Sequence, residues 1–461
     1  MEEKKYLKWY NKVGYGCGDI GGNAIYAFLT SFVMIFLTDK VGLDPGIVGI
    51  LMAVARVLDG ISDICFGALI DRTKTKMGKA RPWMFWGYFG NVITLIMIFA
   101  IPESLGDTAK YAYFFIAYTL LNAVFYTANN IAYSSLTALI TRNNSERVQI
   151  GSIRFIFSFA TSMVIQSVTV GAVAMMGNGA AAWRNIAIIY SVVGLLFNTI
   201  SVMSVKELPE EKNNDHAVEE NKAKEKGSLL QTAKLLISNR FYLMIVALYI
   251  LAQFYVAVCG MGIYYMTYIL DNASLLGVFS WALNLPLMVG LIFTPFIVKR
   301  FNGMYKINLY SYVITIIFRI VMIIGGYMGN VPLMLFGLAV SSFGQGPMQG
   351  TLNALIAATS DYTYRVSGKR IDGLMYSCSS LGVKIGNGLG TALTGILLGA
   401  SGYIANAAVQ PASCINMLNF MYLWFPLIIF ALQFIALYCL KVEKANRDWD
   451  MKHEKTEDIV R

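Results

Sequence analysis

The sequence is poor in the residues on which soluble proteins and most enzymes depend. Charged side chains make up 14% of its 461 residues, against roughly 25% in an average soluble domain. The two histidines, His216 and His453, lie in polar segments, so neither a histidine metal site nor a Ser-His-Asp triad is expected. The six cysteines form no Cys-x-x-Cys pair, which favours packing residues over a metal or redox site. No Gly-x-x-x-x-Gly-Lys-Ser/Thr loop is present, which excludes ATP as the direct energy source.

What the chain has in excess is apolar residues. Hydrophobic residues account for 56% of it, and its mean hydropathy is +0.56. A soluble protein of this size needs more polar surface to cover its core, whereas a chain solvated mostly by lipid does not. The composition therefore predicts a membrane protein and argues against a cytosolic enzyme.

The apolar runs predict about twelve membrane-spanning helices, since each crossing needs about 20 mostly apolar residues. The first six lie near 14–38, 45–70, 83–102, 111–140, 150–175 and 184–205, and the second six near 240–270, 274–298, 306–328, 332–357, 372–400 and 416–440. A polar segment rich in Lys, Glu and Asn separates the two sets. We therefore expect an all-α polytopic protein with a six-helix bundle over 1–205, a cytoplasmic linker over 206–239, a second six-helix bundle over 240–441 and a cytoplasmic tail over 442–461.

Lysine and arginine are distributed unevenly between the predicted loops. Of the 37 basic residues, 30 lie in the two ends, the linker and every second loop, and three lie in the intervening loops. Because cytoplasmic loops carry the excess of positive charge, both termini are predicted to face the cytoplasm of a multi-pass inner-membrane protein. The same asymmetry accounts for the net charge of +10 without a nucleic-acid partner.

Basic turns recur at equivalent places in the two predicted halves. Residues 71–82 follow the second span, and residues 299–306 follow the eighth. The first turn is preceded by Gly67 in a Gly-x-x-x-Asp-Arg element. Two parallel six-span halves are the pattern of the major facilitator superfamily, and this element beside a basic turn resembles the signature loop of that superfamily.

Two carboxylates inside the second predicted span are the most informative charges. A charge at the bilayer centre costs about 2.5–3.5 kcal/mol on insertion scales, so such residues usually serve a pathway or a partner. Asp59 and Asp63 lie four residues apart, hence on one helix face, with Ser62 beside them. Together they can hold a desolvated Na⁺ or carry a proton. The alternative is a structural salt bridge between Asp59 and Arg56, three residues earlier.

Four further charges fall inside predicted spans. Arg154 and Lys384 are candidate partners for the carboxylates from other helices. Asp19 lies about one turn into the first span, where it could also reach interfacial water. Arg319 has no evident partner in the sequence, and its role stays unassigned.

Several aromatic residues share spans with these polar groups. Tyr26, Tyr126 and Tyr133 lie in the first and fourth predicted spans. Sugars present C–H faces that stack on aromatic rings and hydroxyl groups that need paired donors and acceptors. Aromatic faces beside carboxylate, amide and guanidinium groups therefore favour a sugar site, although many of the 27 tyrosines are expected at the lipid interface.

Five segments together resemble the glycoside–pentoside–hexuronide:cation symporter family, the family of the melibiose permease. They read GDIGGNAIYAFLTSFVMIFLTD, VARVLDGISD, DRTKTKMGKARPW, YTANNIAYSSL and SGKRIDGLMYS, and they extend from the first to the eleventh predicted span. The resemblance implies a major facilitator fold that works by alternating access, a monomeric carrier rather than an enzyme, and a coupling ion in place of a cofactor.

The resemblance also implies a set of site residues. The cation site would comprise Asp59, Ser62, Asp63 and Thr127, with Na⁺ a candidate ligand of the two carboxylates. The sugar site would comprise Asp19, Tyr26, Asn130, Arg154, Gln349 and Lys384. Ion pairs of two loops would latch the cytoplasmic ends through Asp71, Arg72, Lys79, Arg81, Asp361, Lys369 and Arg370. The chain departs from the melibiose permease at Asn130, which replaces an acid, at Ser134 and Gln349, which replace tryptophans, and at Tyr364, which replaces an acid of the second loop.

The expected activity is import of a sugar by symport with H⁺ or Na⁺. Glycosides, pentosides, hexuronides and polyols all remain candidates for the substrate, and the lipid bilayer is the other partner. Ser62 is a poorer cation ligand than an amide, which favours H⁺. The alternatives are a cation-coupled lysolipid carrier, a sugar facilitator without coupling, and a membrane sensor, which would need a larger soluble domain than the linker or tail provides.

Overall fold

The computed structural model describes residues 5–208, 236, 238–301, 303–367, 375 and 377–460. Regular structure among these residues is helical, apart from one isolated bridge between Thr75 and Gly78. The prediction of an all-α chain is therefore confirmed. The predicted linker, 206–239, lies mostly outside the described residues.

The first half contains seven α-helical segments: α1 (Trp9–Asp39), α2 (Pro45–Arg72), α3 (Arg81–Phe99), α4 (Asp107–Thr119), α5 (Thr127–Ile140), α6 (Asn144–Met175) and α7 (Ala180–Ser204). A π-helical segment, Leu120–Tyr126, joins α4 to α5, so the two form the fourth predicted span. Local chemistry explains where two of these helices begin. Asp44 accepts a hydrogen bond from the Ile47 amide (3.0 Å) and Asn143 one from the Glu146 amide (3.0 Å), which satisfies donors that a helix start leaves open.

The second half contains nine: α8 (Arg240–Gly260), α9 (Gly262–Tyr268), α10 (Leu275–Phe301), α11 (Met304–Tyr327), α12 (Val331–Ser367), α13 (Ser377–Ala400), α14 (Ala412–Asn419), α15 (Phe425–Cys439) and α16 (Val442–Val460). A second π-helical segment, Phe420–Trp424, joins α14 to α15. Each predicted span coincides with a helix or with two helices joined in this way, although the start of the eleventh lies outside the described residues.

Ten helical segments of the described chain are long and apolar enough to cross a membrane. The helices α2 and α12 are not among them. Many large apolar side chains point outward along the other helices, including Phe155 (67% exposed) and Phe296 (72%). Such a surface suits lipid and would aggregate in water. The composition of α2 differs because it carries Arg56, Asp59 and Asp63.

Contacts divide the chain into two compact units. The first unit comprises Met1–Pro209, Ala257–Trp281 and Asn387–Tyr422, and the second comprises Glu210–Val256, Ala282–Gly386 and Leu423–Arg461. Parts of α8–α10, α13 and α14 thus group with the first half of the sequence. The division into two six-helix bundles stays a prediction.

In the first unit, α1 packs closely on α5 and α7. A Cβ atom added to Gly18 would lie 2.8 Å from both the Tyr133 ring and the Ser201 hydroxyl, and one added to Gly21 would lie 2.8 Å from the Gly194 carbonyl oxygen. Glycine at these two positions permits the close approach of the helices. The approach brings Asp19, between the two glycines, against side chains of α5 and α6.

Candidate functional site

Asp59 lies on α2 with its carboxylate directed to the start of α5. Thr127 donates a hydrogen bond to its Oδ1 atom, and the Nη1 atom of Arg56 lies 3.9 Å from Oδ2. The side chains of Asp59 and Arg56 are 15% and 13% exposed. The structure thus brings together two of the predicted cation-site residues, and it also forms the salt bridge with Arg56 that the sequence offered as an alternative.

The π-helical segment positions Thr127 for this contact. The backbone amide of Thr127 donates to the Asn122 carbonyl, five residues earlier, and its hydroxyl oxygen lies 2.9 Å from the same carbonyl oxygen. A π-helical turn accommodates one extra residue and is frequent at functional sites. The Thr127 hydroxyl, which carries a single hydrogen, therefore faces two acceptor oxygens, one on Asn122 and one on Asp59.

The other two predicted cation-site residues lie on α2 as well. Ser62 donates its hydroxyl hydrogen to the backbone carbonyl of Asp59 (2.9 Å), and Asp63 is half-buried one turn after Asp59. No group of three or more His, Cys, Asp or Glu side chains able to hold a metal is found in the described part of the chain. The oxygen atoms available for a cation are thus two carboxylates and two hydroxyls.

Aromatic side chains line the surroundings of Arg56. The rings of Tyr26 and Tyr126 stack with their centroids 6.0 Å apart and their planes at 22°. Tyr118, which is buried, hydrogen-bonds to the Arg56 guanidinium. These contacts hold Arg56 beside Asp59 and leave a stacked tyrosine pair next to a charged group.

A second polar cluster forms around Asp19. The Nε atom of Arg154 donates to the Oδ2 atom of Asp19 (2.8 Å), and the Tyr133 hydroxyl donates to the same oxygen (2.7 Å). The Arg154 guanidinium lies over the Tyr133 ring, 4.0 Å from its centroid, a cation–π geometry. Arg154 had been a candidate partner for Asp59 and Asp63, and the structure pairs it with Asp19 instead.

The depth of Asp19 differs from the prediction. The first helix begins at Trp9 rather than near residue 14, so Asp19 lies about 15 Å along it at 1.5 Å per residue. Its side chain is 15% exposed and paired. Asp19 is thus held by neighbouring helices, rather than by water near the first turn.

The remaining predicted sugar-site residues are divided between the two units. Tyr26 and Asn130 lie in the first unit, where Tyr26 is half-buried and Asn130 exposed. Gln349 on α12 is exposed and Lys384 on α13 is half-buried, and both belong to the second unit.

The predicted loop latch has backbone contacts at its centre. The amides of Lys79, Ala80 and Arg81 donate to the carboxylate of Glu207 at 2.7–3.1 Å. The Arg81 guanidinium donates to the carbonyl oxygens of Val202 and Met77. Arg72 and Asp361 are exposed. Lys369 and Arg370, and the side chain of Asp71, lie outside the described residues.

A carboxylate occupies the equivalent place in the second half. Glu443 accepts hydrogen bonds from the amides of Met304 and Tyr305 at 2.9–3.1 Å. Glu207 therefore binds the start of α3, and Glu443 binds the start of α11. A carboxylate near the positive end of a helix dipole is stabilising, and the shared arrangement agrees with the weak internal repeat in the sequence.

This arrangement of helices and polar clusters is matched by known transporters. Residues 14–444 match the family model described as MFS/sugar transport protein. The chain belongs to this family. It is a multi-pass membrane transporter of the major facilitator superfamily and not an enzyme, as the resemblance to cation symporters predicted.

Three relatives cover nearly the whole of this family member. The isoprimeverose transporter of Lactiplantibacillus pentosus is 28% identical, over 98% of this chain and 93% of the relative. The uncharacterized symporter YnaJ of Bacillus subtilis strain 168 is 30% identical, over 90% and 88%. The putative glycoside/cation symporter YagG of Escherichia coli K12 is 27% identical, over 95% and 93%.

A solved structure supports the same fold. The crystal structure of a D-xylose-proton symporter matches with a TM-score of 0.63 at 14% identity, over 94% of this chain and 98% of that one. At this identity the likeness concerns the fold alone.

A cluster that sequence reasoning missed lies at the other end of the first unit from Glu207. Asp39, the last residue of α1, accepts hydrogen bonds from the hydroxyls of Tyr268 (2.6 Å) and Tyr403. These two hydroxyls are 3.0 Å apart, and Asn406 donates to the Asp39 backbone carbonyl. Burial raises the pKa of Tyr403, so its hydroxyl stays a donor at neutral pH. The cluster ties the end of α1 to the end of α9 and to the loop after α13.

The cluster borders a cavity of about 300 Å³ in the first unit. Its lining includes Ile35, Lys40, Trp183, Thr267 and Asn406. The partners of Asp39 are more than 200 residues away in the sequence, and no motif announces them. The signal available in advance was a carboxylate placed at the apolar end of the first span.

Proposed function

We propose that the protein imports a sugar or glycoside across the cell membrane by symport with a cation, through alternating access. The names of the isoprimeverose transporter and the glycoside/cation symporter support a sugar substrate. The observation that carries the coupling is the half-buried Asp59 carboxylate, held between the Thr127 hydroxyl and the Arg56 guanidinium. Charged groups inside a membrane span are costly and usually functional.

We propose H⁺ as the coupling ion, on the basis of the hydrogens around Thr127. Its hydroxyl faces the Asn122 carbonyl and the Asp59 Oδ1 atom but can donate to one of them at a time. A proton on Asp59 satisfies both contacts, because Asp59 then donates to Thr127 while Thr127 donates to Asn122. Na⁺ would instead add a second cation beside Arg56, 3.9 Å from the same carboxylate.

Protonation of Asp59 supplies a physical basis for coupling. A neutral Asp59 attracts Arg56 less strongly, and Arg56 is held by Tyr118 beside the stacked rings of Tyr26 and Tyr126. The charge on α2 thus changes the environment of tyrosines that are candidates for stacking on a sugar. If the proton favours sugar binding, the sugar favours proton binding by the same factor.

The sugar would engage the cluster around Asp19 together with Tyr26 and Asn130 of the first unit, and Gln349 and Lys384 of the second. Carboxylate, guanidinium, amide and aromatic groups match the alternating hydroxyl and C–H surfaces of a sugar. A lysolipid carrier, the second candidate, would need an apolar site, and paired charges such as Asp19 and Arg154 do not favour one.

Orientation and membrane follow from the distribution of charge. With 30 of 37 basic residues in the two ends, the linker and alternate loops, both termini would face the cytoplasm of the inner membrane. The carrier would act as a monomer, with each compact unit contributing part of the sugar site.

Uptake into vesicles tests the coupling residues. We expect Asp59→Asn to abolish uphill sugar accumulation while counterflow down a sugar gradient persists, because an amide mimics the protonated carboxyl and cannot release a proton. Thr127→Ala should weaken coupling less, and Glu103→Gln, on a loop outside the spans, is the matched control. Full uphill accumulation by Asp59→Asn and by Asp63→Asn would contradict the proposed site, and wild-type accumulation that survives a protonophore would contradict H⁺ coupling.

A further inference from the structure

The membrane-embedded bases of the first half each lie beside an acid. Arg56 lies 3.9 Å from Asp59 and Arg154 lies 2.8 Å from Asp19. With Asp63, three acids accompany two bases in these spans. The first half therefore has a net negative charge before a cation binds, and its two guanidinium groups already have a counter-charge.

Arg154 is held more firmly than a single ion pair would hold it. Asp19 accepts its Nε–H on one side, and the Tyr133 ring covers its face at 4.0 Å. The Tyr133 hydroxyl donates to the same Asp19 oxygen at 2.7 Å, so a ligand that displaced Asp19 from Arg154 would break the contacts of three side chains. The side chains of Arg154 and Asp19 are nevertheless 22% and 15% exposed, so atoms of both remain accessible.

The accessible atoms offer both hydrogen-bonding functions. The Arg154 and Tyr133 contacts both fall on Oδ2 of Asp19, which leaves Oδ1 directed to accept a hydroxyl hydrogen. The terminal nitrogens of Arg154 carry further N–H donors. An acceptor and a donor side by side match neighbouring hydroxyls of a sugar, whereas an acidic substrate needs donors alone.

We propose that Asp19 is a specificity-determining residue that restricts the carrier to neutral polyhydroxylated sugars and excludes hexuronates and sugar sulfonates. The inference rests on the proposed function and narrows its substrate class. Asp19 neutralises the guanidinium that would otherwise bind an anion bidentately, and its own charge repels a carboxylate or sulfonate at that position.

Transport of matched sugars by the full-length carrier in proteoliposomes tests this assignment. Suitable pairs are methyl glucoside with methyl glucuronide, and methyl galactoside with methyl galacturonide, which differ by the exchange of CH₂OH for a carboxylate. For the wild type we expect the neutral member of a transported pair to be preferred by about tenfold or more, since like charges in contact are strongly disfavoured. Asp19→Asn should slow the neutral sugar and lower that preference by about tenfold, because the Arg154 guanidinium loses its counter-charge.

Two further variants separate charge selection from damage to the fold. Asp19→Glu keeps the charge and should keep the preference for the neutral sugar even if its rate falls. Lys384→Met removes the base on α13, and a wild type that took up the anion through this lysine would lose that uptake in the variant.

The outcomes distinguish the inference from the function on which it rests. Wild-type uptake of the uronide at the rate of the neutral partner, or an unchanged preference in a folded Asp19→Asn carrier, would overturn the role of Asp19 and leave sugar symport intact. Absence of uptake for a broad neutral and acidic panel by the wild type would overturn the proposed function and the inference together.

Discussion

At the scale of single residues, the account depends on hydrogens and charges that few side chains share. Thr127 has one hydroxyl hydrogen for two acceptors, and Oδ2 of Asp19 accepts from both Arg154 and Tyr133. In each case the state of one carboxyl group sets the hydrogen bonding of its neighbours. Small changes at these positions should therefore alter transport without altering the fold.

Removal of the Tyr133 hydroxyl is the most conservative such change. Tyr133→Phe keeps the ring under Arg154 and deletes the hydrogen bond to Asp19. A hydrogen bond to a charged group contributes about 1.5–3 kcal/mol, so we expect the half-saturating sugar concentration to rise about tenfold or more with the carrier still folded.

Concentration-dependent uptake, with the protein melting temperature measured beside it, checks this prediction. Tyr310→Phe is the matched control, because that ring is 59% exposed and its hydroxyl has no role here. An unchanged half-saturating concentration in Tyr133→Phe would show that the Asp19 cluster does not bind the sugar.

At the scale of helices, carboxylates connect helix starts to neighbouring segments. Glu146, in the first turn of α6 and before the apolar part of that helix, accepts hydrogen bonds from Thr141 and from the amides of Tyr6 and Leu7, and it pairs with Lys12 at 3.2 Å. Burial opposes ionisation of this side chain, but these hydrogen bonds prevail and lower the pKa of Glu146. The carboxylate thus fastens the segment before α1 to the start of α6.

The stability contributed by Glu146 should depend on pH with a definite sign. Because its pKa in the folded protein lies below the unfolded value of about 4.3, the contribution is present above that value and is lost as the pH falls through the folded pKa. We expect Glu146→Gln to lower the melting temperature in detergent by a few degrees at pH 7, and the difference from wild type to shrink below about pH 4.

Thermal unfolding followed between pH 7 and pH 3.5 measures this difference, with Glu103→Gln as a control on an exposed loop. A difference that persists unchanged at the lowest pH would show that the side chain acts through packing rather than through its charge.

Helices and their partners were predictable from the sequence to different extents. Spans could be located because each needs a long apolar run, and the bridge between Arg56 and Asp59 followed from their spacing of three. Sequence spacing cannot reveal that Asp19 pairs with Arg154, 135 residues away, because the pairing depends on how α1 and α6 pack. The π-helical segment before Thr127 likewise has no counterpart in a regular apolar pattern.

At the scale of the whole molecule, composition and charge distribution predicted most of the architecture. The predicted fold and family are confirmed by the match over residues 14–444. The predicted boundary between two six-helix halves is a statement about evolutionary repeats, whereas the compact units include segments from both halves of the sequence. Contacts such as those of Asp39 with Tyr268 and Tyr403 form only in the folded chain, so no local pattern could predict them.

The central claim is that sugar and proton cross together through Asp59. The most direct measurement is proton movement in weakly buffered vesicles when a transported sugar is added without Na⁺, with Asp59→Asn beside the wild type. The account predicts that the outer medium becomes more alkaline with wild type as protons follow the sugar inward, and that Asp59→Asn gives no such change while still exchanging sugar. Sugar uptake by wild type without proton movement, or proton movement undiminished in Asp59→Asn, would contradict it.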